Sequence, residues 1–218
     1  MAVLLKSHKE VVIEGDYILF KPDVTEEEFW KIADEDSNYE LIDGALVIHS
    51  SASEEHEDIF RHLTAIIGFY LQETGFGRLY GSRLVMRLSP TWNPEPDIII
   101  IKPEKYKNVS ATRLEGPADM VVEILSKATK ETDLTKKLPK YLQSGVTEVW
   151  IIDPFVNRLT VYTKEQVTEY DVPASTKITS TAFPSLPIKA EWILDRKKHP
   201  SNEIIKEMIK MRIGIQKS

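Results

Sequence analysis

Cysteine is absent from this chain of 218 residues, so disulfides, thiolate metal sites and cysteine nucleophiles are excluded. Long apolar stretches are absent as well, and none approaches the ~20 residues of a membrane-spanning helix. The short apolar run at residues 2–5 is followed by charged residues and does not resemble a signal peptide. From these absences we expect a cytoplasmic protein without a membrane segment.

Several familiar catalytic motifs are also missing. The five histidines form no HExxH-like pair, so the common zinc-protease site is not supported. The sequence contains no glycine-rich phosphate loop and no GxSxG elbow. The net charge of −6 argues against a protein that coats nucleic acid without specificity. It still allows a local basic patch, since lysines crowd residues 127–140.

Two acidic residues stand in or beside apolar runs that are typical of buried strands. Asp97 follows Pro96 and precedes four isoleucines at 98–101, and Glu123 interrupts an apolar run at 121–125. A buried carboxylate is costly unless it is paired or binds a metal. Two such acids on neighbouring strands would form an oxygen-lined site suited to Mg²⁺. This pattern, followed by a lysine-rich segment, points to metal-dependent phosphodiester hydrolysis.

Each of these acids also has a plainer interpretation. A Pro-Asp pair often begins a turn, so Asp97 taken alone favours a turn that leads into a strand. Glu123 is harder to explain in this way, because a lone ionised acid is strongly disfavoured among apolar residues. A structural partner such as Arg83 or Arg87 could still neutralise Glu123. The sequence by itself leaves these alternatives open.

Local signals along the chain predict alternating helices and strands. Thr25 and Glu28 form a capping box for a helix at about 26–33, and Asp43-Gly44 predicts a tight hairpin between strands 39–42 and 45–48. Ser53 and Gly75 delimit a long amphipathic helix. Other predicted elements are a hairpin at 11–20 turning at 14–16, strands at 79–88, 98–101, 120–125, 149–152 and 158–162, a loop at 90–94, a lysine-rich helix ending near 145, irregular chain at 179–187 and a helix at 202–212. We expect one α/β domain in which helices flank a mixed sheet, with an N-terminal hairpin extension.

The lysine-rich segment contains a further candidate for chemistry. Asp133, Lys137 and Tyr141 are spaced by four residues and would share one face of a helix. An ammonium group directed at two metal-binding carboxylates could hold an attacking water or stabilise developing phosphorane charge. Pro139 complicates this helix, because proline removes a hydrogen bond and disfavours helical angles at Leu138. We expect the segment either to kink, or to begin its regular helix near Pro139 with Lys137 just ahead of it.

These residues, in this order, resemble the Uma-type family of putative restriction endonucleases, part of the PD-(D/E)XK nuclease superfamily. The resemblance covers about residues 39–162, with one more similar segment beyond them. The segments that carry it are Tyr39-Glu40-Leu41-Ile42-Asp43-Gly44, a serine-rich turn with His56, Pro96-Asp97, Gly116 to Ser126, Asp133 to Lys137, Tyr141, Gly145-Val146, Glu148, Trp150 to Pro154 and Phe183 to Leu186. Pro-Asp alone is a weak motif, whereas the full ordered string is strong evidence for the family and the fold.

The resemblance implies a restriction-endonuclease-like core at about 39–162, with a C-terminal extension at 163–218. It also implies hydrolysis of DNA phosphodiester bonds with Mg²⁺ or Mn²⁺. Asp97, Glu123 and the carbonyl of Ile124 would bind the metal, and that metal would acidify the bound water and neutralise the phosphate.

The remaining site residues also follow from the resemblance. Leu125 stands where the superfamily's usual lysine would be, and Lys137 on the following helix matches the position of a substitute. Glu40 matches an upstream acid that would complete the metal shell or orient water. Three residues are candidate substrate contacts: His56, Lys136 and Tyr141. A homodimer is expected, because many nucleases of this fold dimerise so that each site serves one strand.

Two other functions stay open at the level of sequence. One is a catalytically inactive DNA- or protein-binding module on the same scaffold, suggested by the displaced lysine, by Pro139 and by the acidic net charge. The other is a structural or subunit-interaction protein. It is suggested by apolar residues of the C-terminal segment that could be exposed, namely Ile204, Ile205, Met208, Met211 and Ile213.

Overall fold

The computed structural model describes residues 18–33, 39–81, 83–171 and 176–215. The strands in these ranges are β1 (Ile18–Lys21), β2 (Tyr39–Ile42), β3 (Ala45–His49), β4 (Arg78–Gly81), β5 (Val85–Arg87), β6 (Trp92–Asn93), β7 (Ile98–Ile101), β8 (Arg113–Glu115), β9 (Met120–Ile124), β10 (Glu148–Asp153), β11 (Arg158–Tyr162) and β12 (Val167–Asp171). Six of them form a central sheet in the order β12-β11-β10-β9-β7-β4. A second sheet has the order β1-β3-β2-β6, and β5 pairs with β8.

The middle of the central sheet is built from the apolar runs of the sequence. β7 and β9 are antiparallel, with Ile98 opposite Val122, and β9 and β10 are parallel, with Glu123 opposite Ile151. Every residue of these three strands is buried, as expected for strands that are covered on both faces. The predicted mixed sheet is therefore confirmed.

Helices cover both faces of this sheet. They are α1 (Glu26–Ile32), α2 (Glu54–Thr74), α3 (Lys130–Thr132), α4 (Leu138–Ser144), α5 (Ala190–Leu194) and α6 (Ser201–Ile215), with a 3₁₀ helix at Pro103–Asn108 and a π-helical turn at Asp133–Lys137. α2, α5 and α6 pack on one face, and α4 packs on the other. No helix in the described ranges combines the length and the apolar character needed to cross a membrane.

The predicted caps and the tight hairpin are confirmed. Thr25 closes the capping box of α1, and α2 runs from its cap at Ser53 to Gly75, which has left-handed angles. Asp43 and Gly44 both have positive φ in the β2–β3 turn, which is what a two-residue hairpin requires. The turn predicted at 14–16 lies outside the described residues, although β1 does pair with β3.

The structure differs from the predicted strands in three places. The single strand predicted at 79–88 is divided into β4 and β5, which pair with different partners. The loop predicted at 90–94 contains β6, which pairs with β2. β12 was not predicted, because Tyr170 alone among its residues is buried and its alternating pattern is weak.

The C-terminal segment packs against the core. Ile204 and Met208 of α6 are 2% and 6% exposed and belong to the same apolar core as α2. The expectation of an exposed apolar surface is therefore wrong for these two residues, because they cover one face of the central sheet. Met211 is exposed. A single domain with its core at 39–162 and an extension at 163–218 stays a prediction.

Candidate active site

A cavity of about 380 Å³ opens where several elements end close to one another. Its wall includes β2 and β3, the first turn of α2, the segment before β7, the end of β9 and the π-helical turn. Five of the predicted site residues line it, from five separate stretches of the sequence: Glu40, His56, Asp97, Glu123 and Lys137. Ile124, the predicted carbonyl ligand, lines it as well.

Asp97 lies just ahead of β7, and its carboxylate is held from two sides. Oδ2 accepts a hydrogen bond of 2.7 Å from the backbone N–H of Ile124, and Oδ1 lies 3.1 Å from Nε2 of His56. The backbone N–H of Asp97 faces Oε2 of Glu123 at 3.5 Å. Because β7 and β9 are adjacent in the sheet, the two acids singled out in the sequence face the same cavity.

His56 stands in the first turn of α2. Ser53 caps this helix by accepting a hydrogen bond from the His56 N–H, and the cap helps to fix the turn that carries the imidazole. Burial acts to lower the pKa of His56, but the hydrogen bond to Asp97 and nearby acidic charges outweigh it and raise the pKa above 6.5. His56 is therefore suited to orient Asp97 and to meet a negatively charged group.

Glu123 is 3% exposed, and its contacts come from the helix that follows β9. Its Oε1 accepts a hydrogen bond of 2.6 Å from the Tyr141 hydroxyl and lies 2.8 Å from Nζ of Lys137. The cation beside Glu123 is thus a lysine. Arg87, one of the two arginines considered as a structural partner, pairs with other acids instead.

Lys137 reaches the cavity from the end of the π-helical turn. Its Nζ also lies 3.0 Å from Oε1 of Glu40 and 3.2 Å from Oδ1 of Asp133. Pro139 has no N–H to donate to the carbonyl four residues earlier, and the widened turn absorbs this mismatch. Leu138 keeps helical angles of φ −54° and ψ −52°, so the expected departure there is wrong. The alternative, in which α4 begins near Pro139 with Lys137 just ahead of it, is confirmed.

Glu40 on β2 is 1% exposed and uses both carboxylate oxygens. Oε2 lies 2.7 Å from Nε2 of His49 on the neighbouring strand, and Oε1 accepts a hydrogen bond of 2.7 Å from the Glu95 N–H. Burial acts to raise the pKa of Glu40, but the charge of Lys137 and the contacts with His49 lower it to about 2. Glu40 is therefore ionised at neutral pH and balances Lys137.

The other acids beside Lys137 resist ionisation. Burial raises the pKa of Glu123 well above 4.5, and the charge of Asp133 adds to this effect although Lys137 opposes it. Burial also raises the pKa of Asp133. Burial would lower the pKa of Lys137, but the surrounding acids outweigh it and raise the pKa well above 10.5. The cavity thus concentrates acidic groups around one ammonium, which favours a further cation.

The side chains of the cavity fit a hard divalent cation in chemical type. Asp97 and Glu123 offer carboxylate oxygens beside the backbone of Ile124, and Mg²⁺ takes oxygen ligands while keeping several waters. Glu95 adds a buried Oε2 that has no hydrogen-bond partner. Within the described residues, however, no three acidic or histidine side chains converge as a ready-made metal site. Binding would require Asp97 and Glu123 to exchange some present partners for the ion.

Two of the predicted substrate contacts lie apart from the cavity. Lys136 is exposed, and its ammonium lies 5.7 Å from the centre of the Phe20 ring on β1. Tyr141 is fully buried and supports Glu123, and burial raises the pKa of its hydroxyl well above 10. A substrate role for either residue stays a prediction.

Two residues of the site were overlooked in the sequence. Glu95 stands two residues before Asp97, and burial and the charge of Glu40 raise its pKa to about 8. His49 holds Glu40 from the opposite strand of the hairpin. A signal existed for each, because Glu95 precedes the Pro-Asp pair directly and His49 follows the hairpin strand that was correctly predicted.

A family model named Uma2, described as "Putative restriction endonuclease", matches residues 26–191. The chain belongs to the Uma2 family. The crystal structure of a putative nuclease belonging to DUF820 from Anabaena variabilis has a similar fold, with a TM-score of 0.69 and 20% sequence identity over 79% of this chain and 98% of that one. No curated protein matches this sequence.

Membership of the Uma2 family confirms the resemblance given by the sequence motifs. The matched range contains all six predicted site residues that line the cavity, and it begins at α1 and ends inside α5. The match to a solved structure supports the mixed α/β fold with helices on both faces. The chain is therefore a member of a family of nuclease-like proteins.

Proposed function

We propose that this Uma2 protein is a metal-dependent endonuclease that hydrolyses phosphodiester bonds of DNA. The observation that carries the proposal is the meeting of Asp97 and Glu123 at one cavity, with Nζ of Lys137 2.8 Å from Glu123. This combination of two carboxylates and one lysine is what the PD-(D/E)XK pattern requires. Leu125, directly after β9, stands where the superfamily's usual lysine would be, and in this proposal Lys137 of the π-helical turn has the role of that lysine.

The metal in this proposal is Mg²⁺ or Mn²⁺. Asp97, Glu123 and the carbonyl of Ile124 would hold it, with Glu40 near enough to orient a water. When bound, such an ion supplies acidification of a bound water and neutralisation of phosphate charge. The raised pKa of Glu123 agrees with this assignment, because an acid that ionises reluctantly beside other acids gains most from a cation.

The chain's own groups have separate tasks in the proposed reaction. Lys137 stays protonated, because its pKa is raised, so it cannot act as a base and instead stabilises negative charge that develops near Glu123. Glu40 is ionised and fixes the ammonium of Lys137 within 3.0 Å. His56 orients Asp97 from the first turn of α2.

The experiment that tests the proposal combines cleavage with metal binding. Supercoiled plasmid is incubated with the protein and Mg²⁺ or Mn²⁺, and Mn²⁺ affinity is measured separately by calorimetry. We expect Asp97→Asn and Glu123→Gln to abolish cleavage and to weaken Mn²⁺ binding. The control Asp171→Asn alters an exposed ion pair far along the sheet and should change neither result. Full cleavage by both site variants would overturn the proposal.

A second candidate is a DNA- or protein-binding module without catalysis. The observation that favours it is that Asp97 and Glu123 already have protein partners: a histidine and a backbone N–H for Asp97, and a lysine and a tyrosine for Glu123. This module would bind DNA in a salt-sensitive manner but cleave nothing at any Mg²⁺ or Mn²⁺ concentration. The same plasmid assay therefore separates the two candidates.

The expected dimer and cytoplasmic location belong to this proposal as well. In a homodimer, each of the two sites could cut one strand of a duplex, whereas cleavage of a single strand needs only one site. Analytical ultracentrifugation with and without duplex DNA would test the dimer. Fractionation of the source cells would test the location.

A further inference from the structure

The described chain contains four non-glycine residues with positive φ: Asp23, Asp43, Arg83 and Asn157. Aspartate and asparagine accept left-handed angles readily, because their short side chains can hydrogen-bond to the local backbone. Arginine has no such local advantage, and Arg83 has a φ of 84°. A strained residue of this kind persists where the surrounding structure or the function maintains it.

Arg83 lies between β4 and β5, in the region where a continuous strand was predicted. It is exposed, and it lines the same cavity as Asp97 and Glu123. The other strong cation in that wall, Lys137, is engaged by three carboxylates within 3.2 Å. Because Arg83 is exposed and Lys137 is buried, a phosphate that enters from solvent reaches the guanidinium of Arg83 before the ammonium of Lys137.

The acidic side chains of the cavity make a cation at its mouth favourable for binding a phosphodiester. Most of its ionisable groups are acids, and Glu40 at least is fully ionised at neutral pH. An approaching phosphodiester would be repelled unless a cation met it at the entrance.

We infer that Arg83 is a substrate-binding residue whose guanidinium contacts a backbone phosphate of nucleic acid at the mouth of the cavity. A planar guanidinium can donate two parallel hydrogen bonds to phosphate oxygens, which gives position as well as charge. The left-handed backbone at Arg83 holds this side chain at the cavity wall. The inference deepens the proposed endonuclease function and rests on it for the identity of the ligand.

The experiment measures duplex binding apart from cleavage. A fluorescent duplex is titrated with the full chain by anisotropy, with Ca²⁺ in place of Mg²⁺, over a series of salt concentrations. We expect Arg83→Gln to weaken binding about 10-fold and to reduce the slope of log K against log salt by about one, the loss of one phosphate contact. Arg158→Gln is the matched control, since Arg158 is an arginine in an exposed ion pair with Asp171, and it should leave both values unchanged.

A second variant separates binding from folding. Arg83→Gly removes the guanidinium and relieves the positive φ, so we expect a Tm equal to or above that of the wild type together with the same loss of binding. Unchanged duplex affinity in Arg83→Gln and Arg83→Gly would overturn the inference. A Tm lowered by both variants with affinity retained would assign Arg83 a structural role in its loop and would also overturn it.

Failure of the inference can be told from failure of the proposed function. If the wild type cleaves plasmid while the Arg83 variants bind and cleave as it does, only the inference is wrong. If the wild type binds DNA through Arg83 but never cleaves, the endonuclease proposal is wrong and the phosphate contact stands. If the wild type binds no duplex at any salt concentration, the inference is wrong as well.

Discussion

Glu123 and Glu148 are both buried glutamates on adjacent parallel strands, yet their surroundings differ in kind. Glu123 faces the side of the sheet that packs on α4, and Glu148 faces the side that packs on α2 and α5. Glu123 is 3% exposed and Glu148 is 0% exposed, so burial does not distinguish them. What distinguishes them is the kind of partner that each carboxylate has.

Glu148 is surrounded by fixed neutral donors. Its Oε1 accepts a hydrogen bond from the indole N–H of Trp150, and its Oε2 accepts from the Ser180 hydroxyl and from the backbone N–H groups of Thr181 and Ala182. These donors anchor irregular chain at 178–183 to β10. Glu148 does not line the cavity, and four protein donors already bond to its oxygens.

Glu123 instead shares one oxygen between a lysine and a tyrosine and opens onto other acids. Its partners can be exchanged, because a cation could replace the ammonium as the source of positive charge. A buried carboxylate therefore indicates a functional site only when it borders a cavity and lacks a full set of fixed donors.

The largest contrast should come from changing each glutamate to glutamine. We expect Glu123→Gln to lower the rate of DNA cleavage by at least about 10³-fold, because it removes a negative metal ligand. Its Tm should stay within a few degrees of the wild type, since the amide preserves the shape and the acid is reluctant to ionise. Plasmid cleavage and thermal unfolding measured on the same preparations would check both.

Glu148→Gln should lower the stability of the fold and leave DNA cleavage unchanged. In either orientation of the amide, its NH₂ group faces N–H donors of the protein. At least one of these donors is then left unsatisfied, which costs about 1–3 kcal/mol. The cleavage rate of the folded fraction, measured well below the Tm, should match the wild type. Loss of cleavage without loss of stability in Glu148→Gln would break the comparison.

The second prediction concerns the cation beside Glu123. Lys137→Met should reduce cleavage by about 10²–10³-fold, because the group that stabilises developing charge is lost. It should also lower the free energy of unfolding by about 3–5 kcal/mol, since Glu40 then keeps a buried charge without its main partner. Lys206→Met is the control, because Lys206 is an exposed lysine outside the cavity that pairs with Glu203, and it should change neither value strongly. Chemical denaturation combined with the plasmid assay would measure both effects.

Adding Glu40→Gln to Lys137→Met would sharpen this result. If the loss of stability comes from the unpaired charge of Glu40, the double variant should recover part of it while cleavage stays low. A double variant no more stable than the single one would show that the packing of the lysine stem, and not its charge, supports the π-helical turn.

The sequence allowed much of the site to be predicted, because its key residues lie in strongly patterned segments. Asp97 and Glu123 interrupt apolar runs, and the spacing of Asp133, Lys137 and Tyr141 correctly predicted a shared face directed at Glu123. The shape of the turn before Pro139 could not be predicted. Pro139 predicts an irregularity in the helix but not its form, and the structure has a π-helical turn there that carries Lys137 to the cavity.

Other features depended on contacts between distant parts of the chain. Glu148 was recognised by resemblance only, because three of its four donors lie more than 30 residues later in a segment without pattern. Arg83 was considered only as a possible partner of Glu123, because nothing in its local sequence indicates the cavity. Ile204 and Met208 were misjudged, because a single amphipathic helix does not reveal which surface it covers.

The third prediction asks whether the region around Glu148 also affects the cavity. The chain that caps Glu148 continues into α5 and then to Arg196, which lies beyond the family match and pairs with Glu55 and Asp58 of α2 at 2.6 Å each. These acids flank His56. We expect Arg196→Gln to loosen the first turn of α2 and to lower cleavage by about 10-fold or less, through misplacement of His56.

A spectroscopic measurement makes this positioning role testable without cleavage. The ring signals of His56, identified in NMR spectra with a His56→Gln variant, should show averaged tautomers in Arg196→Gln while those of His49 stay fixed. Arg196→Lys should restore part of the order, because it keeps a cation beside Asp58. Unchanged His56 signals in Arg196→Gln would limit the role of Arg196 to holding α6 and its neighbours in place.

Glu26 lies outside the cavity, and its pKa is shifted in the opposite direction to that of Glu123. The hydrogen bonds of Arg87 to Glu26, at 2.6 and 2.9 Å, lower the pKa of Glu26 below 4.5. A depressed folded-state pKa contributes stability that is present above the unfolded value and is lost as the pH falls through the folded value. Glu26→Gln should therefore be less stable than the wild type by about 0.5–1.5 kcal/mol at pH 7.

The difference in the free energy of unfolding between the wild type and Glu26→Gln should shrink as the pH falls below 4.5. It should disappear once Glu26 is protonated in both the folded and the unfolded state. Chemical denaturation at a series of pH values would measure it, with Glu27→Gln as the control because Glu27 forms an exposed helix pair. A difference that persists unchanged in acid would mean that Glu26 contributes by shape and hydrogen bonding and not by its charge. In that case Glu115 and the packing of α1 would hold Arg87 in place, and the charge of Glu26 would not stabilise the fold as the charge of a paired carboxylate should.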